Sequence, residues 1–195
     1  HNVWKDGEGL TDENKEYCQQ NFYEPFQREI ASQLAVRSDL TFVVAWDNTA
    51  HYEIGNDNAG NPVVMKPFIL SNRGFEGSSH AGNVEQVSCD PEFLEQLIKH
   101  LEVELEKRQL PNDIHLNLVM RGGYICDQYS TLRHQANLYG LGINCEVQSL
   151  QVEYDTIITH DQDTLEPRPE KIRALREAFS RAIETTYVDY TQEAE

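Results

Sequence analysis

The sequence predicts a mixed α/β domain, a central sheet with flanking helices and an extra helical segment at its N-terminal side. Three observations predict it. Strand-like runs come first, helix and strand patterns then alternate strictly, and the full length of 195 residues suits one compact core. The predicted element order is βββαβαβα, with the first three strands antiparallel and the later ones parallel. Residues 1–10 are Gly-rich and charged and are expected to be loosely held, leaving 11–195 as a single domain.

Thr11 or Asp12 can cap a helix running toward Gln20. Pro25 fits a first helical turn, with Phe26, Ile30 and Leu34 on one face up to Arg37. The run Leu40-Thr41-Phe42-Val43-Val44-Ala45-Trp46 is β-branched, aromatic and continuous, as a strand buried on both faces should be. His51 to Ile54 predicts a second strand, and Pro62 to Leu70 a third. The Asn56-Asp57-Asn58-Ala59-Gly60-Asn61 segment between them has hairpin-turn chemistry. It lacks the order of a calcium loop. Gly74, Gly77, Ser78, Ser79 and Gly82 mark a long loop between Ser71 and Asn83.

Asp90-Pro91 opens the clearest helix, with Phe93, Leu94, Leu97, Ile98, Leu101 and Leu105 on one face and Leu110-Pro111 at its end. Ile114 to Met120 predicts a strand and Arg121-Gly122-Gly123 a turn. Asp127 can cap a helix carrying Tyr129, Leu132, Ala136 and Tyr139 and closed by Gly140. Glu146 to Tyr154 predicts a strand with a bulge near Ser149. Beyond Pro167 and Pro169, the residues Ile172, Leu175, Phe179, Ala182 and Ile183 line a final helix.

The order from the first strand onward is that of the RNase H-like fold. The stretch 91–154 resembles part of a PIWI domain, through a long helix, Leu-Pro-Asn-Asp, and then Ile-His-Leu-Asn-Leu-Val-Met-Arg-Gly-Gly. In that family the corresponding strand ends in Arg-Asp-Gly and its Asp binds a metal. Gly122 stands there in this chain and supplies no ligand. Asp47, ending the first central strand, matches the first RNase H-like carboxylate.

A formal charge of −17 repels phosphate backbones, so nucleic acid is a disfavoured partner and a basic protein is the better one. Lys107-Arg108 is the tightest basic pair, and the basic positions from Arg168 to Arg181 are interrupted by Glu. No stretch approaches the length of a membrane span, and no signal-peptide pattern occurs in these residues. Cys18, Cys89, Cys126 and Cys145 show neither CxxC spacing nor disulfide density, which predicts a reduced, cytoplasmic protein.

Two-metal phosphodiester chemistry needs converging carboxylates. Asp47, Glu95 and Asp127 are the catalytic candidates, with late ligands between Asp155 and Asp163 and Mg2+ or Mn2+ as the ion. The ordinary roles of the three are a turn, a solvated helix position and a helix cap. Thr159-His160-Asp161-Gln162-Asp163 is the densest polar cluster. Asp47, His160, Asp161 and Asp163 are thus the metal-ligand candidates, against the commoner role of that cluster as a solvated turn.

Cys89 or Cys126 would need a histidine such as His80, His134 or His160 to act as a nucleophile, and the dipole at a helix start would favour the Cys126 thiolate. His115-Leu116-Asn117 has part of the two-histidine phosphodiesterase pattern but no second copy, and His51-Tyr52-Glu53 does not supply one. Arg121, Ser130-Thr131 and Gln151-Val152-Glu153 follow an ADP-ribosyltransferase series at gaps too short for that fold. The expected function is a non-catalytic binding or regulatory domain on an RNase H-like scaffold, with a metal-dependent phosphodiesterase or nuclease as the alternative.

Overall fold

In the computed structural model the described residues are 16, 17, 20, 21, 24–82, 86–120 and 124–193. The expected cap at Thr11 or Asp12, Cys18, and the Arg121-Gly122-Gly123 turn lie outside them. The elements run α1 (Glu24–Ala35), β1 (Thr41–Thr49), β2 (Glu53–Asn56), β3 (Pro62–Val64), β4 (Phe68–Ser71), α2 (Pro91–Lys107), β5 (Ile114–Leu116), α3 (Tyr124–Gln128), α4 (Thr131–Gly140), β6 (Val147–Asp155) and α5 (Pro169–Glu193).

The central sheet is mixed and has the order β1-β6-β4-β5. β1 runs parallel to β6 over nine residues, from Thr41 opposite Val147 to Thr49 opposite Asp155. β4 is antiparallel to β6 and parallel to β5. β2 and β3 form a separate two-stranded sheet.

The mixed α/β class with flanking helices is therefore observed, but the expected antiparallel trio of first strands is not. Pro67 provides the local reason. Proline offers no N–H and drives the preceding residue toward an extended conformation. The single strand expected over 62–70 accordingly breaks at Met65-Lys66-Pro67. Its first part pairs with β2, and its second part enters the central sheet. The carbonyl of Pro67 accepts the Asp155 N–H at 3.0 Å and so docks the break against β6.

Side chains alternate across a strand, and this divides the core. On one face Phe68, Leu70, Leu150 and Val152 pack against Phe93, Leu94, Leu97, Leu101 and Leu105 of α2 and Leu175, Ala178, Phe179 and Ala182 of α5. Phe42 stacks on Phe93 with ring centroids 3.8 Å apart, and Trp46 meets Phe179 edge-on at 4.0 Å. On the other face Val147, Leu34, Tyr129, Leu138, Ile143 and Cys145 enclose a smaller cluster with Val43.

α2 forms where its pattern places it. Asp90 accepts the Glu92 N–H at 2.8 Å, Pro91 occupies the first turn, and the expected apolar stripe is buried except for Ile98, which is partly so. β6 extends to Asp155 in unbroken register with β1, so the expected bulge near Ser149 is absent. Its slipped alternation reflects a central strand buried on both faces. β5 is shorter than expected because Asn117 and Val119 adopt positive φ and turn the chain away.

The helix expected from Asp127 to Gly140 is split at Tyr129-Ser130, where the Thr131 hydroxyl donates to the Val147 carbonyl at 3.0 Å. Asp127 thus sits inside α3 rather than at a cap. The Asn56–Asn61 segment is a hairpin turn, with Asp57 Oδ1 accepting the N–H groups of Ala59 and Asn61. Among the described residues, no helix is long and apolar enough to cross a membrane.

Leu97→Ala, at a fully buried position of α2, should cost about 2–5 kcal/mol in urea unfolding. Val103→Ala, on the exposed face of the same helix, should stay within about 0.5 kcal/mol of wild type.

Candidate functional site

Strand direction sorts the polar residues into two groups. β1 and β6 end together, at Thr49 and Asp155, whereas β4 and β5 run the other way and end at the opposite rim. Asp47 belongs to the first end, while Glu95 and Asp127 belong to the second. The three catalytic candidates therefore do not share one site.

At the β4/β5 end, buried Asn72 and Asn117 tie the loops together. Asn117 Nδ2 donates to Asn72 Oδ1 at 3.0 Å and to the Ser78 carbonyl at 2.8 Å. Asn72 Nδ2 donates to the carbonyls of Ser79 and Cys89. A Cβ on Gly74 would stand 2.6 Å from the Ser78 carbonyl oxygen and 2.8 Å from Asn117 Nδ2, so the loop requires glycine there.

Nearby, Glu95 Oε1 accepts the Ser79 hydroxyl at 2.6 Å, and that hydroxyl lies 2.9 Å from His80 Nδ1. Asp127 is ion-paired with Arg73 at 3.0 Å and Arg133 at 3.2 Å. Both carboxylates are committed to holding loops.

The late cluster is likewise a structural turn. Asp161 Oδ1 accepts the N–H groups of Asp163 and Thr164, and Oδ2 accepts from Arg168 at 2.7 Å. His160 Nδ1 meets the hydroxyl of Thr159. The Arg168 hydrogen bond, followed by the two backbone N–H groups, lowers the Asp161 pKa to about 2. Among the described residues, no three His, Cys, Asp or Glu side chains are placed to hold a metal ion.

The described cysteines are held as buried thiols. Cys89 and Cys126 are fully buried and free. Burial outweighs the other influences on Cys126 and pushes its thiol up to about 11, and burial likewise raises Cys89 well above the usual thiol value. The helix-start effect expected at Cys126 is overridden. The side chain of His134 lies outside the described residues.

The end shared by β1 and β6 is different. Cross-strand register puts Asp47 beside Glu153 and Thr49 beside Asp155, and both carboxylates of β6 lie on the sheet face away from α2 and α5. Glu153 is 6% exposed and Asp155 2%. Buried carboxylates need partners, and both have them. Glu153 Oε2 accepts the Thr49 hydroxyl at 2.8 Å, and Gln151 Nε2 donates to Oε1.

Asp155 Oδ1 caps the 3-10 turn Thr156–Ile158 through the Ile157 N–H at 3.1 Å. Its Oδ2 lies 2.5 Å from Nδ1 of His51, whose side chain is 44% exposed. A carboxylate on Nδ1 fixes the proton on that nitrogen and leaves Nε2 to exchange protons. Along one strand face, Glu153 and Asp155 are separated by one repeat of about 6–7 Å.

A buried carboxylate, Glu153, and an imidazole oriented by Asp155 thus occur at the carboxyl ends of the parallel strands β1 and β6, where open α/β sheets commonly bind ligands. In the sequence His51 and Glu153 figure only in His51-Tyr52-Glu53 and Gln151-Val152-Glu153, patterns that belong to other folds and do not link the two residues. The available signal was the Gln151-x-Glu153-x-Asp155 alternation at the end of the strand.

No family model matches the chain, and no curated protein matches it. Among solved structures it is similar to N-formylglutamate amidohydrolase from Ralstonia eutropha JMP134, at 15% sequence identity and a TM-score of 0.54. The match covers 95% of this chain and 58% of that one, so the chain spans little more than half the length of its structural neighbour. This likeness concerns the fold. It overturns the PIWI and RNase H-like resemblance, as does a sheet in which β1 pairs with β6 rather than with β2. The alternating element order is common to both arrangements, while the pairing is not.

The Asp161 carboxylate yields a pH prediction. Its folded pKa of about 2 lies below the ordinary 3.8, so its hold on the turn is complete above the ordinary value and lost as pH falls through about 2. A carboxyl NMR titration should place its midpoint there, and Arg168→Ala should move the midpoint upward.

Proposed function

We propose that the chain carries a hydrolytic site for an amide-type C–N bond, built on Glu153 with His51 and Asp155. The carrying observation is the His51–Asp155 contact beside buried, hydroxyl-bonded Glu153. The fold likeness to an amidohydrolase supports the choice of bond, although fold alone does not fix chemistry.

In this reading Glu153 takes a proton from a water molecule as the water oxygen attacks the amide carbon. His51 enters protonated on both ring nitrogens; the C–N bond breaks as Nε2 gives its proton to the departing nitrogen, and the proton held by Glu153 then restores the imidazolium, giving an acid and an amine. Asp155 touches no substrate; it orients the imidazole and stabilises it when charged. The Thr49 hydroxyl and Gln151 amide hold the Glu153 carboxylate in place.

A non-catalytic binding role toward a basic protein is the second reading. The formal charge of −17 and the exposed carboxylate of Asp47 favour it.

Amine release from a panel of N-formyl and N-acetyl amino acids separates the two readings. The hydrolytic reading expects turnover by wild type that Glu153→Gln and His51→Ala each lower by about 10²–10⁴-fold, with unchanged circular dichroism. Absence of turnover in wild type across the panel would overturn it in favour of the binding role.

A further inference from the structure

The longest strand pairing of the sheet leaves one edge open. β1 pairs with β6 on one side, and among the described residues no strand pairs with its other side. Edge strands in soluble proteins are commonly blunted by Lys, Pro, bulges or brevity. β1 has nine residues and regular register, with neither Lys nor Pro in Thr-Phe-Val-Val-Ala-Trp-Asp-Asn-Thr.

Beside this edge lies a groove of about 380 Å³, lined by Val44, Trp46, Arg176, Phe179, Ser180 and Ile183. Trp46 packs on Phe179 yet remains 37% exposed. Arg176 and Ser180 also border a second concavity of about 610 Å³, which gathers Arg108, Arg173 and Arg181 with Glu177 and Glu184.

The charges there run against those of the molecule as a whole. Four arginines and two glutamates line that concavity, a local balance of +2 in a chain of −17. Arg108 is engaged by Glu104, and Arg181 by Glu184. Arg173 and Arg176 form no ion pair among the described residues. They lie three apart on α5, with Ser180 and Ile183 continuing the same stripe, so the helix presents cations and then an apolar patch along the groove.

We propose that the β1 edge and the α5 groove together dock an extended acidic segment of another protein, which pairs with β1 as an added strand. Its acidic side chains meet Arg173 and Arg176, and an apolar side chain fills the space at Trp46 and Ile183. Main-chain pairing supplies affinity and alternate side chains supply selectivity. A basic segment would meet the arginines with like charge. The docking surface is separate from Glu153 and His51, which lie on the opposite sheet face.

The probe is a dye-labelled peptide, Glu-Thr-Val-Thr-Glu-Thr-Val-Thr, which places Glu and Val on one strand face. The same peptide with Lys for Glu is the control. Binding is followed by anisotropy and by Trp46 emission in a Trp4→Phe background. The expected result is saturable binding of the acidic peptide, at least about tenfold tighter than the lysine peptide, with a blue shift of Trp46. Arg173→Glu combined with Arg176→Glu should weaken it at least about tenfold while circular dichroism is unchanged. Equal affinity for both peptides, full affinity in the double variant, or no saturation by about 1 mM would overturn the proposal. A dimer in sedimentation that buries Trp46 would assign the edge to a second copy and overturn it as well.

Discussion

The parallel pairing of β1 with β6 is the constraint on which the rest of the molecule depends. Its nine-residue register aligns Val44 with Leu150 and Trp46 with Val152 beneath α2 and α5. The same register sets Val43 against the smaller cluster on the other face and brings Thr49 to Glu153. Parallel strands cannot be joined by a tight turn, so everything between β1 and β6 becomes the crossover. The β2–β3 hairpin, β4, α2, β5 and the short helices all belong to that connection.

The sheet then separates stability from chemistry. The face under α2 and α5 is filled with leucine and aromatic side chains and carries most of the apolar burial. On the other face the apolar cluster covers only the starts of β1 and β6. Toward their carboxyl ends, Gln151, Glu153 and Asp155 follow one another at alternate positions. Burying two carboxylates there is tolerable because Thr49, Gln151, His51 and the Ile157 N–H serve them. At the far end, Asn72 and Asn117 solve the same problem with neutral amides. The loops after β4 and β5 are thereby cross-tied and resemble supporting structure more than a site.

Local signals in the sequence located α2, β1 and the final helix, but not the breaks within other elements and not the pairing. Asp90-Pro91 and the leucine stripe specify α2 because capping and 3.6-residue periodicity are local properties. The continuous apolar run likewise marks β1 as a strand, but not as the strand buried on both faces that it suggests: β1 lies at the sheet edge and is only partly buried. Which strand β1 joins depends on residues about a hundred positions away, and an alternating element order is compatible with several sheets. Pro67 could have flagged the break between β3 and β4, since a proline is rarely accommodated within a central strand. The carboxylates singled out by analogy, Asp47 with Glu95 and Asp127, fall at opposite ends of the sheet because β4 runs against β6. The His51–Asp155 contact spans 104 residues, and no sequence neighbourhood announces it. A Gln-x-Glu-x-Asp strand ordinarily suggests a half-solvated edge. Only central placement turns that pattern into buried, partnered carboxylates.

A double-mutant cycle between His51→Ala and Asp155→Asn, read by denaturant unfolding, tests most directly that β1 and β6 bring these two groups together. The observed contact predicts a coupling on the order of 0.5–3 kcal/mol, as expected for directly hydrogen-bonded groups. Strictly additive effects of the two substitutions would contradict it, and the site at the carboxyl ends of β1 and β6 would fall with it.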